Sequence, residues 1–303
     1  MKFNFFILVC YKLIVRGEFM EIKTAHRLRD GISFNPENSI ASAKDVIKNP
    51  NIGALETDIQ LTKDSVFVLM NYVTIEKVTT LFDPSKNKIS DYTYDELCNM
   101  SFHANVAEIE KAITTNAKEF GNKAKEILEY YNELIRKPKL SKIASLEELL
   151  LLPRDNKHLF IEIKTNYSKE QKLESIQYAK LLIALLKKCN ANNISIIGRD
   201  TNTLEMIKQE EPSLDCLVVV GYDDTEKLTY GFDGASIALN HLERIVPGTN
   251  KLAFEYIGES DMPVAVWNLR TNEAYKTSSS IIQKSGVSLY CPTGDFIDRI
   301  SKK

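Results

Sequence analysis

Short apolar runs alternate with longer amphipathic stretches along most of the chain. The apolar runs predict eight or nine strands, at Ile22–Ala25, Ala54–Leu61, Val66–Met70, Leu159–Ile163, Ile194–Ile197, Cys216–Val220, Gly234–Ala238, Val264–Trp267 and Val287–Tyr290. Between most of them, apolar residues recur at helical spacing and predict helices at Asn38–Lys48, Lys169–Lys188, Asn202–Gln209, Gly248–Tyr256 and Asn272–Lys284. Strands that alternate with helices are typical of a parallel sheet. We predict an α/β fold, a (β/α)8 TIM barrel, because no Gly-rich phosphate loop follows the first strand as an open dinucleotide-binding sheet would require.

One segment, residues 105–140, interrupts this alternation. It is charged, amphipathic and helix-forming, it contains no strand pattern, and it ends at the turn signal "RKPKL". We therefore predict a single barrel domain over residues 20–303 that carries a helical insertion between two of its strands.

The stretch before this domain, residues 1–19, begins "MKFNFFILVCYKLIV". A lysine followed by a largely apolar run is typical of a weak secretion signal. Lys12 interrupts the run, no small-residue cleavage site follows, and the run is shorter than the ~20 residues that span a bilayer. Three interpretations remain open: an export or membrane-anchoring segment, a lead-in strand or helix packed on the domain, and an upstream extension of a chain that naturally starts at Met20.

Charge and cysteine content narrow the classes of partner and compartment. The 41 acidic and 39 basic residues leave a net charge of −2, which predicts neither a nucleic-acid partner nor a broad surface for anionic membranes. The five cysteines are scattered and form no CxxC pair, so a reducing, cytoplasmic environment is favoured over a disulfide framework or a zinc site. Secretion or membrane association would depend on residues 1–19.

Paired polar side chains stand among apolar neighbours on three of the predicted strands. They are His26 and Arg27, Glu56 and Asp58, and Glu162 and Lys164. Residues two apart on a strand share a face, and reactive groups of such barrels lie at the carboxyl ends of the strands. One pair alone is more often solvent-facing or part of a salt-bridged layer, but recurrence on successive strands favours a functional site.

The three carboxylates require a counter-charge if they face the barrel interior, because an unpaired buried carboxylate is costly. Glu56, Asp58 and Glu162 together offer oxygen ligands, which suit Mg²⁺ or Ca²⁺ better than zinc. Arg27 and Lys164 would add positive charge for an anionic substrate.

These segments, in this order, resemble the glycerophosphodiester phosphodiesterases. That family begins with a strand ending in His-Arg-Gly and continues with Pro-Glu-Asn-Thr before the first helix; the matching segments here are "AHRL" and "NPENSIASA". Its Glu-x-Asp strand, its Ile-Glu-Ile-Lys strand and its late Trp-bearing strand are matched by "IGALETDIQLTKDS", "LFIEIKT" and "VAVWN". The resemblance is strong over residues 22–80, moderate over 143–166, and weak from 190 onward except around Trp267.

The resemblance implies a TIM barrel, a divalent cation and a small-molecule phosphodiester ligand, such as a glycerophosphodiester or a lysophospholipid headgroup. The implied activity is that of a metal-binding hydrolase of lipid metabolism that cleaves a glycerol-linked phosphodiester. Its site would comprise His26 as one of two catalytic histidines, Arg27, Lys164 and Trp267 at the phosphate and substrate, Glu56, Asp58 and Glu162 as metal ligands, and Glu37 and Asn38 as bracing residues.

Two departures from the family fall at the reaction centre. Aligning "VFVLMNYVTIEKVTT" on the family's second strand without a gap places Asn71 where the second catalytic histidine stands. An amide cannot exchange a proton near neutral pH, and losing a general acid or base costs ~10²- to 10⁴-fold in rate. Leu28 replaces the glycine of the first strand and is expected to crowd the backbone beside the substrate. His103 matches no motif, so we expect it to be a packing histidine and not a substitute.

Three functions therefore compete. The first is a phosphodiesterase with an impaired or altered mechanism in which His26 works with the cation. The second is a catalytically inactive pseudoenzyme that binds a phosphodiester or sugar phosphate. The third, supported least, is an interaction protein that docks through the insertion at residues 105–140.

Overall fold

The computed structural model describes residues 19–29, 31, 34–79, 82–105, 107–110, 124–137, 139–164, 175–221 and 223–301. Residues 1–18, and with them nearly all of the signal-like segment, lie outside the described part of the chain.

A closed barrel of eight parallel strands forms the centre of the molecule. The strands are β1 (Met20–Glu21), β2 (Thr24–Ala25), β3 (Ala54–Leu61), β4 (Phe67–Leu69), β5 (His158–Ile163), β6 (Ile194–Gly198), β7 (Asp215–Val220), β8 (Gly234–Ala238), β9 (Val264–Trp267) and β10 (Leu289–Gly294). Neighbours run β2-β3-β5-β6-β7-β8-β9, and β10 closes the ring by pairing in parallel with both β9 and β2. β1 extends β2 along β10, and β4 folds back antiparallel on β3. The predicted (β/α)8 barrel is confirmed.

Helices cover the outside of the barrel. They are α1 (Ile40–Lys48), α2 (Tyr94–Cys98), α3 (Ala124–Arg136), α4 (Leu146–Leu150), α5 (Ser175–Lys188), α6 (Thr201–Glu210), α7 (Ala253–Glu259), α8 (Asn272–Ser285) and α9 (Ile297–Ile300). Among the described residues, no helix is both long and apolar enough to cross a membrane. The helix predicted at Gly248–Tyr256 begins later, at Ala253, because Gly248 has a left-handed φ of +77° and the Glu255 carboxylate caps the Leu252 N–H at 2.9 Å.

The side chains of the barrel strands alternate between two apolar environments. On β5, Leu159, Ile161 and Ile163 face the helices, while Phe160 joins an apolar cluster inside the barrel. Glu162 shares the inward face with Phe160, one step closer to the carboxyl end of the strand. The barrel interior is thus apolar toward the amino ends of the strands and charged at their carboxyl ends.

The segment predicted as an insertion contains α3, which lies between β4 and β5, and a helical stretch at residues 107–110. Its residues 111–123 fall outside the described part of the chain. Tyr130 and Tyr131 of α3 pack edge-on against Phe296, with ring centroids 5.3 and 5.1 Å apart. Because Phe296 follows the end of β10, this packing holds α3 beside the carboxyl ends of the strands.

Candidate active site

Three carboxylates converge at the carboxyl end of the barrel. Glu56 and Asp58 lie on the inward face of β3, and Glu162 lies beside Asp58 on β5 in the parallel register. One oxygen from each lies within 4.8 Å of the others. Glu56 and Asp58 are buried and Glu162 is half-buried. The predicted ligand set is therefore assembled in one place.

Glu56 carries the strongest indication of a bound cation. Its Oε2 accepts the backbone N–H of Arg27 at 2.7 Å, while its buried Oε1 has no hydrogen-bond partner among the described residues. Burial, together with the charges of Asp58 and Glu162, raises the pKa of Glu56 well above its ordinary value. A cation at this point would supply the missing partner and favour the ionised form, so the donor set fits a hard divalent ion.

Asp58, in contrast, is held as a carboxylate. Lys164 Nζ lies 3.0 Å from its Oδ1, and Asn38 Nδ2 donates to its Oδ2 at 3.0 Å. Burial disfavours the charged form, but Lys164 and Arg27 outweigh it and keep the pKa of Asp58 below its usual value. The Asn38 side chain also accepts from the hydroxyl of Thr57 at 2.8 Å, which places it where a bracing residue is predicted.

Lys164, just after β5, bridges two of the carboxylates. It forms ion pairs with Asp58 and Glu162, and these outweigh its burial and raise its pKa. It also lines a cavity at the carboxyl end of the barrel. Its contact with a phosphate stays a prediction.

The guanidinium of Arg27 is surrounded by carboxylates of the protein, which compete with any bound anion. Its Nη1 donates to Glu37 at 3.4 Å and to Glu108 at 3.2 Å, and its Nε lies 3.7 Å from Asp58. Glu37 also forms an ion pair with Arg29. The positive charge predicted for a phosphate is thus largely balanced by the protein itself.

Glu108 belongs to the segment predicted as an insertion, and no motif indicated a place for it at the site. Besides Arg27, it accepts a hydrogen bond from Tyr72 and lies 3.8 Å from Arg270. Burial and the nearby Glu37 raise the pKa of Tyr72, so its phenol stays protonated and is no substitute base.

The ion pairs around the site join five carboxylates to four cationic groups and to His26. Among the described residues the carboxylates are Glu37, Asp58, Glu108, Glu162 and Asp295, and the cationic groups are Arg27, Arg29, Lys164 and Arg270. Glu56 lies in the carboxylate cluster but in none of these ion pairs.

His26 has a partner that the sequence analysis missed. Its Nδ1 lies 2.7 Å from Oδ1 of Asp295, which directly follows β10. Burial opposes ionisation of Asp295, but His26 and Arg29 outweigh it and hold the pKa of Asp295 well below its usual value. The signal in the sequence was weak: an aspartate in "CPTGDF", five residues after the last predicted strand, Val287–Tyr290.

Asn71 occupies the edge of the carboxylate cluster. In the orientation that satisfies both ends of its amide, the nitrogen donates to Asp58 Oδ1 at 3.2 Å and the oxygen accepts from Arg27 Nη2 at 3.0 Å. The residue at the predicted position of the second histidine therefore contacts the cluster as a fixed hydrogen-bonding group.

A cavity of about 250 Å³ opens above the cluster. It is lined by His26, Arg27, Glu56, Asn71, Glu162, Lys164 and Trp267 of the predicted site, and by Arg199, which the sequence analysis did not select. Leu28 is fully buried in the apolar layer outside the barrel and does not line this cavity, and its expected crowding of the backbone beside the substrate stays a prediction. His103 lies outside it too, with Nδ1 2.8 Å from its neighbour's carbonyl.

Fold and site together define a (β/α)8 barrel that carries, at the carboxyl ends of its strands, a carboxylate cluster and a histidine paired with an aspartate. Residues 29–288 match the model of the glycerophosphoryl diester phosphodiesterase family. The chain belongs to this family. A comparison with curated protein sequences finds no match.

Solved structures with a similar fold include several from this family. A glycerophosphodiester phosphodiesterase from Parabacteroides distasonis is 17% identical, with a TM-score of 0.65 over 94% of this chain and 96% of that one. A putative glycerophosphoryl diester phosphodiesterase from Silicibacter pomeroyi is 12% identical, with a TM-score of 0.69 over 95% of each chain. A phosphodiesterase from Oleispira antarctica, solved with its product sn-glycerol-3-phosphate, is 14% identical, with a TM-score of 0.62 over 96% and 97%.

Proposed function

We propose that this protein is a divalent-cation-dependent phosphodiesterase that acts on glycerophosphodiesters with a single catalytic histidine. The observation that carries the proposal is that His26, which is paired with Asp295, lines the same cavity as Glu56 and Glu162 of the three-carboxylate cluster. The family of the chain, and the product bound to the Oleispira antarctica phosphodiesterase, support a phosphodiester of glycerol as the ligand.

Glu56, Asp58 and Glu162 would hold the cation. When bound, a Mg²⁺ or Ca²⁺ ion neutralises phosphate charge and makes a coordinated oxygen a better nucleophile. Lys164 sits on the cavity wall between two of these carboxylates, where it adds positive charge beside the phosphate.

His26 would carry the protons. Because Asp295 accepts the proton of Nδ1, the tautomer with a free Nε2 is favoured, and Nε2 is the atom that exchanges protons with the substrate. We propose that Nε2 removes the proton of the glycerol 2-hydroxyl, whose oxygen bonds to phosphorus as the bond from phosphorus to the leaving alcohol breaks. The proton then passes from Nε2 to that alcohol. One histidine can serve both transfers in sequence, and the products are a cyclic glycerol phosphate and the free alcohol.

A second candidate is a binding protein that holds the same ligand without turnover. Asn71 supports it, because an amide fixed between Asp58 and Arg27 cannot take over the proton transfers of a histidine.

The two candidates separate when the purified chain is tested with Mg²⁺ or Ca²⁺ on glycerophosphocholine, glycerophosphoethanolamine and a lysophospholipid. Phosphorus NMR identifies the products, and calorimetry measures binding of each cation and substrate. Turnover that is lost in His26→Ala but kept in His103→Ala supports the enzyme. Binding without turnover, with activity gained in Asn71→His, supports the binding protein. Absence of both binding and turnover would overturn both candidates.

A further inference from the structure

Arg199 places a second basic group on the wall of the cavity. It directly follows β6, one strand beyond the strand that carries Glu162, and lines the same cavity. It belongs to no ion pair with the carboxylate cluster. Its charge is therefore not used to balance the carboxylate cluster and faces the same cavity.

The guanidinium of Arg199 is poorly neutralised. Among the described residues its side chain donates no hydrogen bond, and the one carboxylate within ion-pair distance, Asp224, lies 3.8 Å from Nη1. Asp224 is already engaged, since Lys227 Nζ lies 2.8 Å from it and it also accepts the backbone N–H of Gly221. The Arg199 side chain is 40% exposed. A ligand anion would thus meet a guanidinium with free donors.

Gly221 leaves room for this guanidinium. It lies against Gly221, where a Cβ atom would come within 2.5 Å of Nη1 and 2.7 Å of Nη2. The backbone carbonyl of Arg199 accepts from Lys227 Nζ at 3.1 Å. A side chain at position 221 would displace the guanidinium, so the glycine keeps this space available for Arg199.

We propose that Arg199 selects substrates whose alcohol carries an anionic group of its own, such as a carboxylate. The proposal rests on the proposed function, because it takes the phosphodiester to lie at the carboxylate cluster. Arg27 and Lys164 are occupied by carboxylates. Arg199 is then the cavity cation with capacity for a second anionic group, and the proposal assigns the alcohol side of the substrate to it.

Glycerophosphoserine and glycerophosphoethanolamine test this directly, because they differ by one carboxylate on the alcohol. Equilibrium binding by calorimetry and turnover by phosphorus NMR are measured for both compounds with Mg²⁺ or Ca²⁺ present. The unmodified protein should favour glycerophosphoserine by about tenfold, as expected for one charge-assisted contact at a partly exposed site. Arg199→Ala should bring that ratio to about one, and Arg199→Lys should keep part of it. Arg244→Ala removes an arginine outside the cavity and should leave the ratio unchanged.

Binding and turnover separate the two proposals. A binding ratio that depends on Arg199, without turnover of either compound, upholds the role of Arg199 and overturns the proposed catalysis. Two outcomes would uphold catalysis and overturn the role of Arg199. In the first, both compounds turn over and the protein prefers neither. In the second, both turn over and the preference for glycerophosphoserine survives in Arg199→Ala. Failure of both compounds to bind overturns both.

Discussion

The pair of His26 and Asp295 should control the rate of turnover more than substrate affinity. The substitution Asp295→Asn keeps the shape of the side chain but removes the charge that fixes the imidazole. The bond is 2.7 Å long and part-buried, and such a charge-assisted hydrogen bond contributes ~1.5–3 kcal/mol. If this free energy serves only to orient His26, its loss lowers kcat about 10- to 150-fold at 1.36 kcal/mol per tenfold, with KM nearly unchanged.

The same substitution should lower the free energy of unfolding by ~1.5–3 kcal/mol at neutral pH. Because the pKa of Asp295 is depressed in the folded state, its contribution is present above the ordinary carboxyl value of 3.8 and is lost as the pH falls through the lower folded value. The difference in stability between the two proteins should therefore shrink in acid.

Steady-state kinetics on glycerophosphoethanolamine and thermal unfolding between pH 3 and pH 7 check these expectations. Asp295→Glu should restore part of the rate, whereas Asp223→Asn, at a carboxylate whose side chain is 89% exposed, should change neither quantity. A kcat within twofold of the parent, or a loss expressed only in KM, would refute the assigned orientation of His26.

Three further substitutions test other parts of the site and fold. Because the pKa of Glu56 is raised, the cation-free protein should lose stability as the pH rises from 4.5 through that raised value, and a cation at 100 times its Kd should add ~2.7 kcal/mol to the free energy of unfolding. Glu56→Gln should abolish both effects, and thermal unfolding in which either effect persists contradicts this. Glu108→Gln should tighten binding of inorganic phosphate about two- to fivefold by freeing Arg27, as calorimetry would detect; unchanged or weaker binding contradicts it. Gly258→Ala should cost ~1–3 kcal/mol in denaturant unfolding, because the added Cβ meets the Ser285 carbonyl oxygen at 1.9 Å; a change below ~0.5 kcal/mol contradicts it.

The barrel was predictable because each of its strands has a local signature. The run Cys216–Val220 is apolar on both faces, as a strand covered by helices must be, and the structure has a strand there. Ends of elements were less predictable. The helix α7 begins where Glu255 can cap it, and apolar spacing carries no information about that cap.

The carboxylate cluster was predictable for a similar reason. Two-residue spacing puts Glu56 and Asp58 on one face of β3, and parallel pairing then brings Glu162 beside them. The state of Arg27 was not predictable. The sequence places it next to His26, but its neutralisation depends on which carboxylates surround it, and one of them, Glu108, comes from a part of the chain that matches no motif.

The sequence by itself determined the alternation of strands and helices, the inward face of each strand and the family to which the motifs belong, because these follow from spacing within a few residues. Only the tertiary structure decided which distant groups meet. Asp295 is 269 residues from His26 along the chain, and closure of the barrel by β10 brings them to 2.7 Å. Arg199 became a candidate for the same reason, since a lone arginine after a strand has no local pattern until the barrel directs it into the cavity.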